Sequence, residues 1–309
     1  RTNRMTGAAD LPRQNQGRDA RKEFSMSIKN VTVLGTGVLG AQIAFQTAYH
    51  GFAVTAYDIN NAAIEKAKKT FAWLAARYLA TLKGADQAKI DAAMARISYA
   101  TDLATAAKEA DLVIEAIPES LDLKKKVYGE LGTVAPAHTI FASNSSTLLP
   151  SAMAASTGRP EKFLALHFAN EIWLHNVAEV MGHPGTDPAI YAQVVDFARA
   201  IDMVPIEIHK EKAGYVLNSL LVPFLQAAGE LLVDGIAEPK SIDDTWRIAT
   251  GSPKGPFEIY DIVGLMTAYH ISSMGGEKQQ KFAQLIKENY IDKGKLGVAT
   301  GEGFYKYGK

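Results

Sequence analysis

The hydrophobic pattern of the chain changes near residue 208. Before that point, short apolar runs rich in β-branched residues alternate with longer stretches in which apolar side chains recur with helical period. Such alternation predicts βαβ units around a parallel sheet. The predicted strands are Val31–Leu34, Ala53–Tyr57, Leu112–Ala116, Thr139–Ala142, Phe163–Leu166 and Val204–Ile208.

Two stretches of helical period, at about 61–82 and 86–96, predict a helical hairpin inserted after the second strand. After residue 208 the strand pattern ends, and helical periods cover 214–233, 242–250, 256–272 and 278–290. We therefore predict an α/β domain at residues 26–208 that carries the hairpin, followed by an all-helical domain at residues 209–309.

Residues 1–25 are polar, rich in arginine and without apolar periodicity, and they end just before Met26. We predict that they form a leader or tag that is disordered and takes no part in the fold. The alternative, an organelle-targeting peptide, would need fewer acidic residues and an amphipathic face.

The amino-acid composition limits the classes of partner that the protein can bind. The chain has 33 basic and 33 acidic side chains, so there is no electrostatic case for nucleic acid or an anionic membrane. No apolar run approaches the roughly 20 residues that cross a bilayer. Because there is no cysteine, disulfides, thiolate nucleophiles and thiolate metal sites are excluded, and a reducing cytoplasm is compatible. We predict a cytoplasmic protein whose partner is a small molecule.

A glycine-rich turn follows the first predicted strand. Gly35, Gly37 and Gly40 form the pattern G-x-G-x-x-G between that strand and a helix. The first glycine allows a tight turn, the second lets the backbone approach a pyrophosphate, and the third lets helix and strand pack closely. With Val38 and Leu39, they would place ligand phosphates at the helix N-terminus, where free N–H groups favour anions. A simple turn is the alternative.

Asp58 strengthens the first interpretation, because it ends the next strand, 18 residues beyond Gly40. An acid at this distance accepts hydrogen bonds from an adenosine ribose, which indicates a Rossmann-type dinucleotide-binding domain. The neighbouring Ile59 and Asn60 supply no arginine for a 2′-phosphate, so NAD(H) is favoured over NADP(H). The alternative role of Asp58 is a helix N-cap.

His167 directly follows an apolar strand, at a carboxyl end where the cofactor would lie. Glu179 lies twelve residues later inside another apolar run, and a buried acid needs a partner such as an imidazolium. Such a pair suits proton exchange, and a structural histidine is the alternative.

Two further polar residues are candidates for the same site. Ser146 offers a hydroxyl after the strand Thr139–Ala142, where a capped turn is the alternative. Asn218 interrupts an apolar helical stripe, so its amide needs a partner, which is either a substrate or active-site group or a core residue.

Together these segments resemble the 3-hydroxyacyl-CoA dehydrogenase family over nearly the whole chain from Met26. Besides the glycine turn and Asp58, the matching strings are ADLVIEAIPESLDLK at 110–124, SNSS at 143–146, LHFAN at 166–170, AEV at 178–180, GYVLN at 214–218, GPFE at 255–258 and TGEGFY at 300–305.

The resemblance implies roles for individual residues. His167 would be the general acid/base and Glu179 its carboxylate partner, with Ser146 and Asn218 around the reacting oxygen. Glu119, Lys124, Ser146 and Asn170 would line the nicotinamide end of NAD(H). The helical domain would form a homodimer, with the substrate between the two domains. Hydride transfer of this kind requires no metal, since these groups supply orientation and charge compensation.

The chain departs from the family pattern after the histidine. The family commonly continues with Phe-Phe-Asn-Pro-Val-Pro-Val-Met, whereas residues 168–175 read FANEIWLH. Ser219 and Ala299 replace an arginine and a lysine that are frequent in the family. The segment looks most like the bacterial diketoreductase branch, whose members reduce β,δ-diketo esters with NADH. Trp173 would then contact a hydrophobic substrate tail, or pack in the core.

Three functions are therefore open: reduction of β-keto or β,δ-diketo esters, an L-3-hydroxyacyl-CoA dehydrogenase of fatty-acid metabolism, and a non-catalytic NAD-binding protein. A basic patch formed by Lys66, Lys68, Lys69 and Arg77 would favour the phosphates of CoA, unless these four are a solvated helix face. The retention of His167, Glu179 and Asn218 disfavours a non-catalytic role.

Overall fold

In the computed structural model, residues 28–308 are described, so the predicted leader at residues 1–25 lies outside them. The centre of the fold is one eight-stranded sheet with strand order β3-β2-β1-β4-β5-β6-β7-β8. Every neighbouring pair is parallel except β6 and β7. The strands are β1 Asn30–Leu34, β2 Ala53–Tyr57, β3 Ile97–Ala100, β4 Leu112–Glu115, β5 Ile140–Ser143, β6 Phe163–Phe168, β7 Val177–Met181 and β8 Val204–Ile208.

Helices connect the strands and build the second domain. Those of the first domain are α1 Val38–Tyr49, α2 Asn61–Thr81, α3 Gln87–Ala95, α4 Leu103–Ala107, α5 Leu121–Val134, α6 Ser151–Ala154 and α7 Pro188–Ala200. Those that follow β8 are α8 Leu217–Val233, α9 Pro239–Thr250, α10 Pro256–Val263, α11 Leu265–Ser273 and α12 Glu277–Asn289. None of the helices within residues 28–308 is long and apolar enough to cross a membrane.

The sheet is covered by apolar side chains on both faces, as its parallel strands require. Along β4, Leu112 and Ile114 pack in the same cluster as residues of α1, α2 and α7. The intervening Val113 packs on the opposite face with Tyr128 and Leu131 of α5. Successive side chains of a strand point to opposite faces, so a continuous apolar run fills both layers.

The predicted fold class is confirmed: a Rossmann-type domain carries a helical hairpin, α2 and α3, and a helical domain follows it. All six predicted strands are present, with ends that differ by at most two residues. Two strands, β3 and β7, were missed. The helix predicted over 256–272 is divided into α10 and α11, because Gly264 adopts φ 93°, which a continuous helix does not allow. The domain boundary after residue 208 stays a prediction.

Two buried aspartates fasten the C-terminal segment to the helical domain. Asp261 accepts hydrogen bonds from the backbone N–H groups of Phe304 and Tyr305, both at 2.9 Å, and from the hydroxyl of Tyr307 at 2.8 Å. Asp243 accepts a further bond from the hydroxyl of Tyr305 at 2.9 Å. The segment after α12 is therefore held by polar contacts as well as by its aromatic packing.

Candidate active site

The carboxyl ends of β1, β2, β4, β5 and β6 lie at one edge of the sheet, since these five strands are parallel. The polar residues predicted from the sequence follow these strands, and the chain enters β7 at the same edge. This edge is where an open α/β sheet binds its ligands.

The glycine turn joins β1 to α1, and its three glycines differ in their surroundings. A Cβ on Gly40 would lie 1.9 Å from the carbonyl oxygen of Gly35, and a Cβ on Gly35 would lie 2.6 Å from that of Ala116. A Cβ on Gly37 would meet nothing within 4 Å. The first and third glycines therefore pack against backbone, whereas the second faces open space at the uncapped N-terminus of α1. This arrangement fits a bound pyrophosphate.

Asp58 lies at the end of β2 and faces the glycine turn. Its Oδ2 accepts hydrogen bonds from the N–H group of Thr36 at 2.9 Å and from its hydroxyl at 2.6 Å, and Oδ1 accepts one from the N–H group of Ile59 at 2.8 Å. The side chain that caps α2 belongs to Asn60, which accepts the N–H group of Ala63 at 2.9 Å. The N-cap alternative for Asp58 is therefore wrong.

His167 and Glu179 are direct cross-strand neighbours on β6 and β7. Glu179 Oε2 lies 2.9 Å from His167 Nδ1, and both side chains are almost fully buried. The imidazole also stacks on the ring of Tyr215, with 4.5 Å between the ring centroids. The ring is thus fixed by a carboxylate at its edge and an aromatic ring on its face, which leaves Nε2 for another partner.

The second oxygen of Glu179 connects the pair to the helical domain. Oε1 accepts hydrogen bonds at 2.9 Å from the N–H groups of Val216 and Leu217, where α8 begins. Burial raises the pKa of Glu179, but the hydrogen bond with His167 and those from Leu217 and Val216 outweigh burial and lower this pKa below its ordinary value. The carboxylate therefore stays ionised beside the imidazole.

The other two predicted catalytic residues, Ser146 and Asn218, lie on segments that contact this pair. Ser146 Oγ is 3.2 Å from His167 Nε2, on the loop that follows β5. Asn218 is in the first turn of α8, directly after Leu217, whose N–H group binds Glu179. Within residues 28–308 the side-chain amide of Asn218 has no hydrogen-bond partner, so it is free to bind a ligand.

Glu119 fastens the loop that carries Ser146. Its Oε1 accepts hydrogen bonds from the hydroxyl of Ser145 at 2.5 Å and from the N–H group and hydroxyl of Thr147 at 3.0 and 2.8 Å. Burial raises the pKa of Glu119, but these bonds and the ammonium of Lys124 lower it below its ordinary value. Glu119 thus remains a carboxylate at the predicted nicotinamide end.

Lys124 is buried between two acidic side chains. Its side chain is 1% exposed, and its ammonium lies 2.5 Å from Glu115, 3.3 Å from Glu119 and 3.3 Å from the carbonyl oxygen of Ile117. These contacts hold Glu119 in place, and the position of Lys124 at the nicotinamide end stays a prediction.

Sequence reasoning missed Glu115, which is fully buried below this loop. Besides Lys124, it accepts hydrogen bonds from the N–H group of Ile117 at 2.9 Å and from the hydroxyls of Tyr128 at 3.1 Å and Ser143 at 2.8 Å. An acid inside the apolar strand LVIE was the signal that could have shown it, by the argument applied to Glu179.

A cleft of about 510 Å³ lies beside the glycine turn. Asn170 is at its mouth, where Oδ1 accepts a hydrogen bond at 2.6 Å from the side chain of Gln42 in α1. The cleft is lined by Thr36, Gly37, Val38, Gln42, Lys66, Lys69, Thr70, Trp73, Asn170 and Glu171. It thus connects the phosphate-binding turn with α2 and with the segment after β6.

Trp173 does not line this cleft. Its side chain is 5% exposed, its Nε1 donates a hydrogen bond to the hydroxyl of Thr81 at 3.0 Å, and its ring lies 5.1 Å from that of Tyr78. The expectation that Trp173 contacts a substrate tail is wrong, because the helical hairpin covers the indole and makes it part of the core.

Residues 30–212 match the family model of the 3-hydroxyacyl-CoA dehydrogenase NAD-binding domain, and residues 214–307 match that of the C-terminal domain. The chain belongs to the 3-hydroxyacyl-CoA dehydrogenase family. It is therefore an NAD-dependent oxidoreductase that acts on the CH–OH group, with NAD(H) as cofactor. This overturns the non-catalytic alternative.

Individual relatives differ in what they act on. The human mitochondrial hydroxyacyl-coenzyme A dehydrogenase is 35% identical over 289 residues, or 91% of each chain. A solved diketoreductase, described in work on substrate-directed dual catalysis of dicarbonyl compounds, is 68% identical, with a TM-score of 0.88 over 91% of this chain and 99% of that chain. The (S)-3-hydroxybutyryl-CoA dehydrogenase of Ralstonia eutropha is 31% identical, with a TM-score of 0.78 over 92% of this chain and 100% of that chain.

Proposed function

We propose that this protein reduces β-keto and β,δ-diketo esters with NADH and uses His167 and Glu179 as its acid/base pair. The supporting observation is the order Glu179, His167, Ser146, in which one imidazole nitrogen is held by a buried carboxylate at 2.9 Å and the other lies 3.2 Å from a hydroxyl. The 68% identity with a diketoreductase supports the choice of substrate class.

NADH supplies the hydride that the 3-oxo carbon accepts. His167, protonated at Nε2, gives a proton to the oxygen as negative charge develops there, and in the oxidative direction neutral His167 removes the hydroxyl proton. Glu179 stabilises the imidazolium through Nδ1. The hydroxyl of Ser146 and the free amide of Asn218 donate hydrogen bonds to the same oxygen, so donors are in place before the charge forms.

Replacement of His167 by Gln tests the assignment. The amide keeps part of the side-chain volume but cannot exchange a proton, so kcat should fall at least about a hundredfold, whereas the Kd for NADH should stay within about twofold. A kcat close to that of the wild-type enzyme would remove His167 from the mechanism. Fluorescence titration with NADH and NADPH checks the cofactor, and equal or tighter binding of NADPH would contradict the role of Asp58.

The second candidate function is an L-3-hydroxyacyl-CoA dehydrogenase. It is favoured by the curated relatives and by Lys66 and Lys69, whose side chains line the cleft beside the glycine turn. Rates with acetoacetyl-CoA and with a β,δ-diketo ester, measured side by side, distinguish the two. A kcat/KM that is higher for the thioester by tenfold or more would favour the CoA enzyme.

We also propose that the protein is a cytoplasmic homodimer joined through its helical domain. Large apolar side chains are exposed on that domain, including Leu220 at 69%, Ile248 at 83% and Met274 at 81%. A helical domain that exposes several large apolar side chains is a candidate for association with a second copy. Sedimentation equilibrium of the wild-type protein and of Ile248→Lys tests the dimer, and a monomeric wild-type protein would refute it.

A further inference from the structure

The cleft beside the glycine turn contains fewer free cations than the sequence suggests. Of the four residues of the basic patch, Lys66 and Lys69 line the cleft. Lys68 is paired with Glu65 at 2.7 Å, and its ammonium lies over the ring of Tyr99, 5.3 Å from the centroid. Lys68 therefore belongs to the side of α2 that packs towards β3.

The fourth residue of the patch, Arg77, is paired with an acid of the cleft wall. Its guanidinium lies 3.5 Å from Glu171 and 5.9 Å from the centroid of the Trp73 ring. Glu171 and Trp73 both line the cleft. Two lysines and one carboxylate therefore line the cleft, and this carboxylate offsets the charge of the neighbouring Arg77.

The backbone of Glu171 is held in an unfavourable conformation. Its φ is 56°, in the left-handed region that a residue with a Cβ rarely adopts. The buried side chain of Gln42 accepts hydrogen bonds from the N–H group of Glu171 at 2.8 Å and from that of Ile172 at 3.4 Å. Strained backbone that buried groups hold in place is concentrated at functional sites. Glu171 is thus fixed at the mouth of the cleft, in the segment where this chain departs from its family.

We propose that Glu171 is a specificity-determining residue that disfavours polyanionic substrates, such as CoA thioesters, relative to uncharged 3-oxo esters. The inference rests on the proposed function and specifies its substrate class. Glu171 places a negative charge in the cleft beside the phosphate-binding turn, and this charge offsets that of Arg77. It therefore weakens the positive potential that the phosphates of CoA would meet. An uncharged ester gains nothing from that potential, so the ratio of the two activities depends on Glu171.

Two substitutions with opposite expected effects test this proposal. The quantity measured is kcat/KM for acetoacetyl-CoA divided by kcat/KM for ethyl acetoacetate, at saturating NADH. Glu171→Gln should raise this ratio about threefold to tenfold, because it removes a negative charge and releases Arg77. Arg77→Gln should lower the ratio by a similar factor, because Glu171 then keeps only His175, 4.0 Å from its Oε2, and no longer faces a guanidinium.

The matched control is Asp196→Asn, which removes a carboxylate from the exposed pair with Arg199 on α7, where the two charged groups are 2.8 Å apart. It should leave the ratio unchanged. At about 1 M salt, where the screening length is about 3 Å, both cleft variants should approach the wild-type ratio.

Several results would overturn the inference. One is a ratio that both cleft variants leave unchanged or shift in the same direction, while the wild-type enzyme reduces the ester. Another is a change confined to the KM for NADH, which would place Glu171 and the lysines against the cofactor. If the wild-type enzyme reduces neither substrate, the proposed function fails and the specificity inference fails with it.

Discussion

Replacement of Lys124 by Met tests how the loop that carries Ser146 is held. The substitution removes an ammonium that is 1% exposed and 2.5 Å from Glu115. Glu115 would remain fully buried, with donors only from the Ile117 N–H group, the Tyr128 hydroxyl and the Ser143 hydroxyl. A buried carboxylate that loses its cation costs about 3 to 5 kcal/mol, and the three remaining donors favour the lower end of this range.

The assay is urea denaturation followed by circular dichroism, with Tm as a second measure. We expect the free energy of unfolding to fall by about 3 kcal/mol and Tm by about 6 to 12 °C. The double variant Lys124→Met with Glu115→Gln should recover most of this loss, because it leaves no uncompensated buried charge. The control Lys281→Met breaks an exposed pair with Glu277 at 2.7 Å and should change stability by less than about 0.5 kcal/mol.

The reasoning would be refuted if Lys124→Met lowered the free energy of unfolding by less than about 1 kcal/mol, because removal of a buried ammonium that contacts two carboxylates should cost more than this. It would also be refuted if the double variant lost as much free energy of unfolding as the single variants Lys124→Met and Glu115→Gln together. That result would mean that Lys124 and Glu115 contribute independently and do not act as a buried ion pair.

Four further predictions follow from the site and the fold. Gly40→Ala should weaken NADH binding at least about tenfold and lower Tm, because its Cβ would lie 1.9 Å from the Gly35 carbonyl oxygen. Gly37→Ala should fold normally, because its Cβ would meet nothing within 4 Å. Calorimetric titration measures the binding of NADH by both variants, and thermal unfolding measures their Tm. Glu179→Gln should lower kcat at least about tenfold in stopped-flow assays, because it leaves His167 without a carboxylate; an unchanged kcat would exclude the pair. The pKa of Glu179 is lowered in the folded state, so its ionised form stabilises the fold at pH values above the ordinary pKa of 4.5. This contribution is lost as pH falls through the folded-state pKa. The free energy of unfolding should therefore fall more steeply with decreasing pH for the wild-type protein than for Glu179→Gln. Asp261→Asn, which replaces the acceptor of two backbone N–H groups and a tyrosine hydroxyl, should cost about 1 to 3 kcal/mol and expose the C-terminal segment to proteolysis; unchanged cleavage would contradict its fastening role.

Most of the secondary structure and the phosphate-binding turn could be predicted from the sequence. Apolar periods of two and of 3.6 residues depend only on neighbours along the chain, so six strands, the hairpin and most helices could be read from them. The glycine turn and Asp58 are also recognisable from the local sequence. The close packing at Gly35 and Gly40 leaves no room for a Cβ, so this turn requires glycine at both positions.

Which polar groups face each other could not be predicted from local patterns, because it depends on how distant segments pack. Glu179 lies twelve residues after His167, and this spacing does not reveal that β7 returns antiparallel to β6 with the two residues in register. Lys124 and Trp173 belong to types that also occur at the surface of binding sites, yet a buried acid and the helical hairpin enclose them. Burial and charge pairing depend on contacts between residues that are far apart in sequence, and for this reason the charges of the cleft, including that of Glu171, could be assigned only from the folded chain.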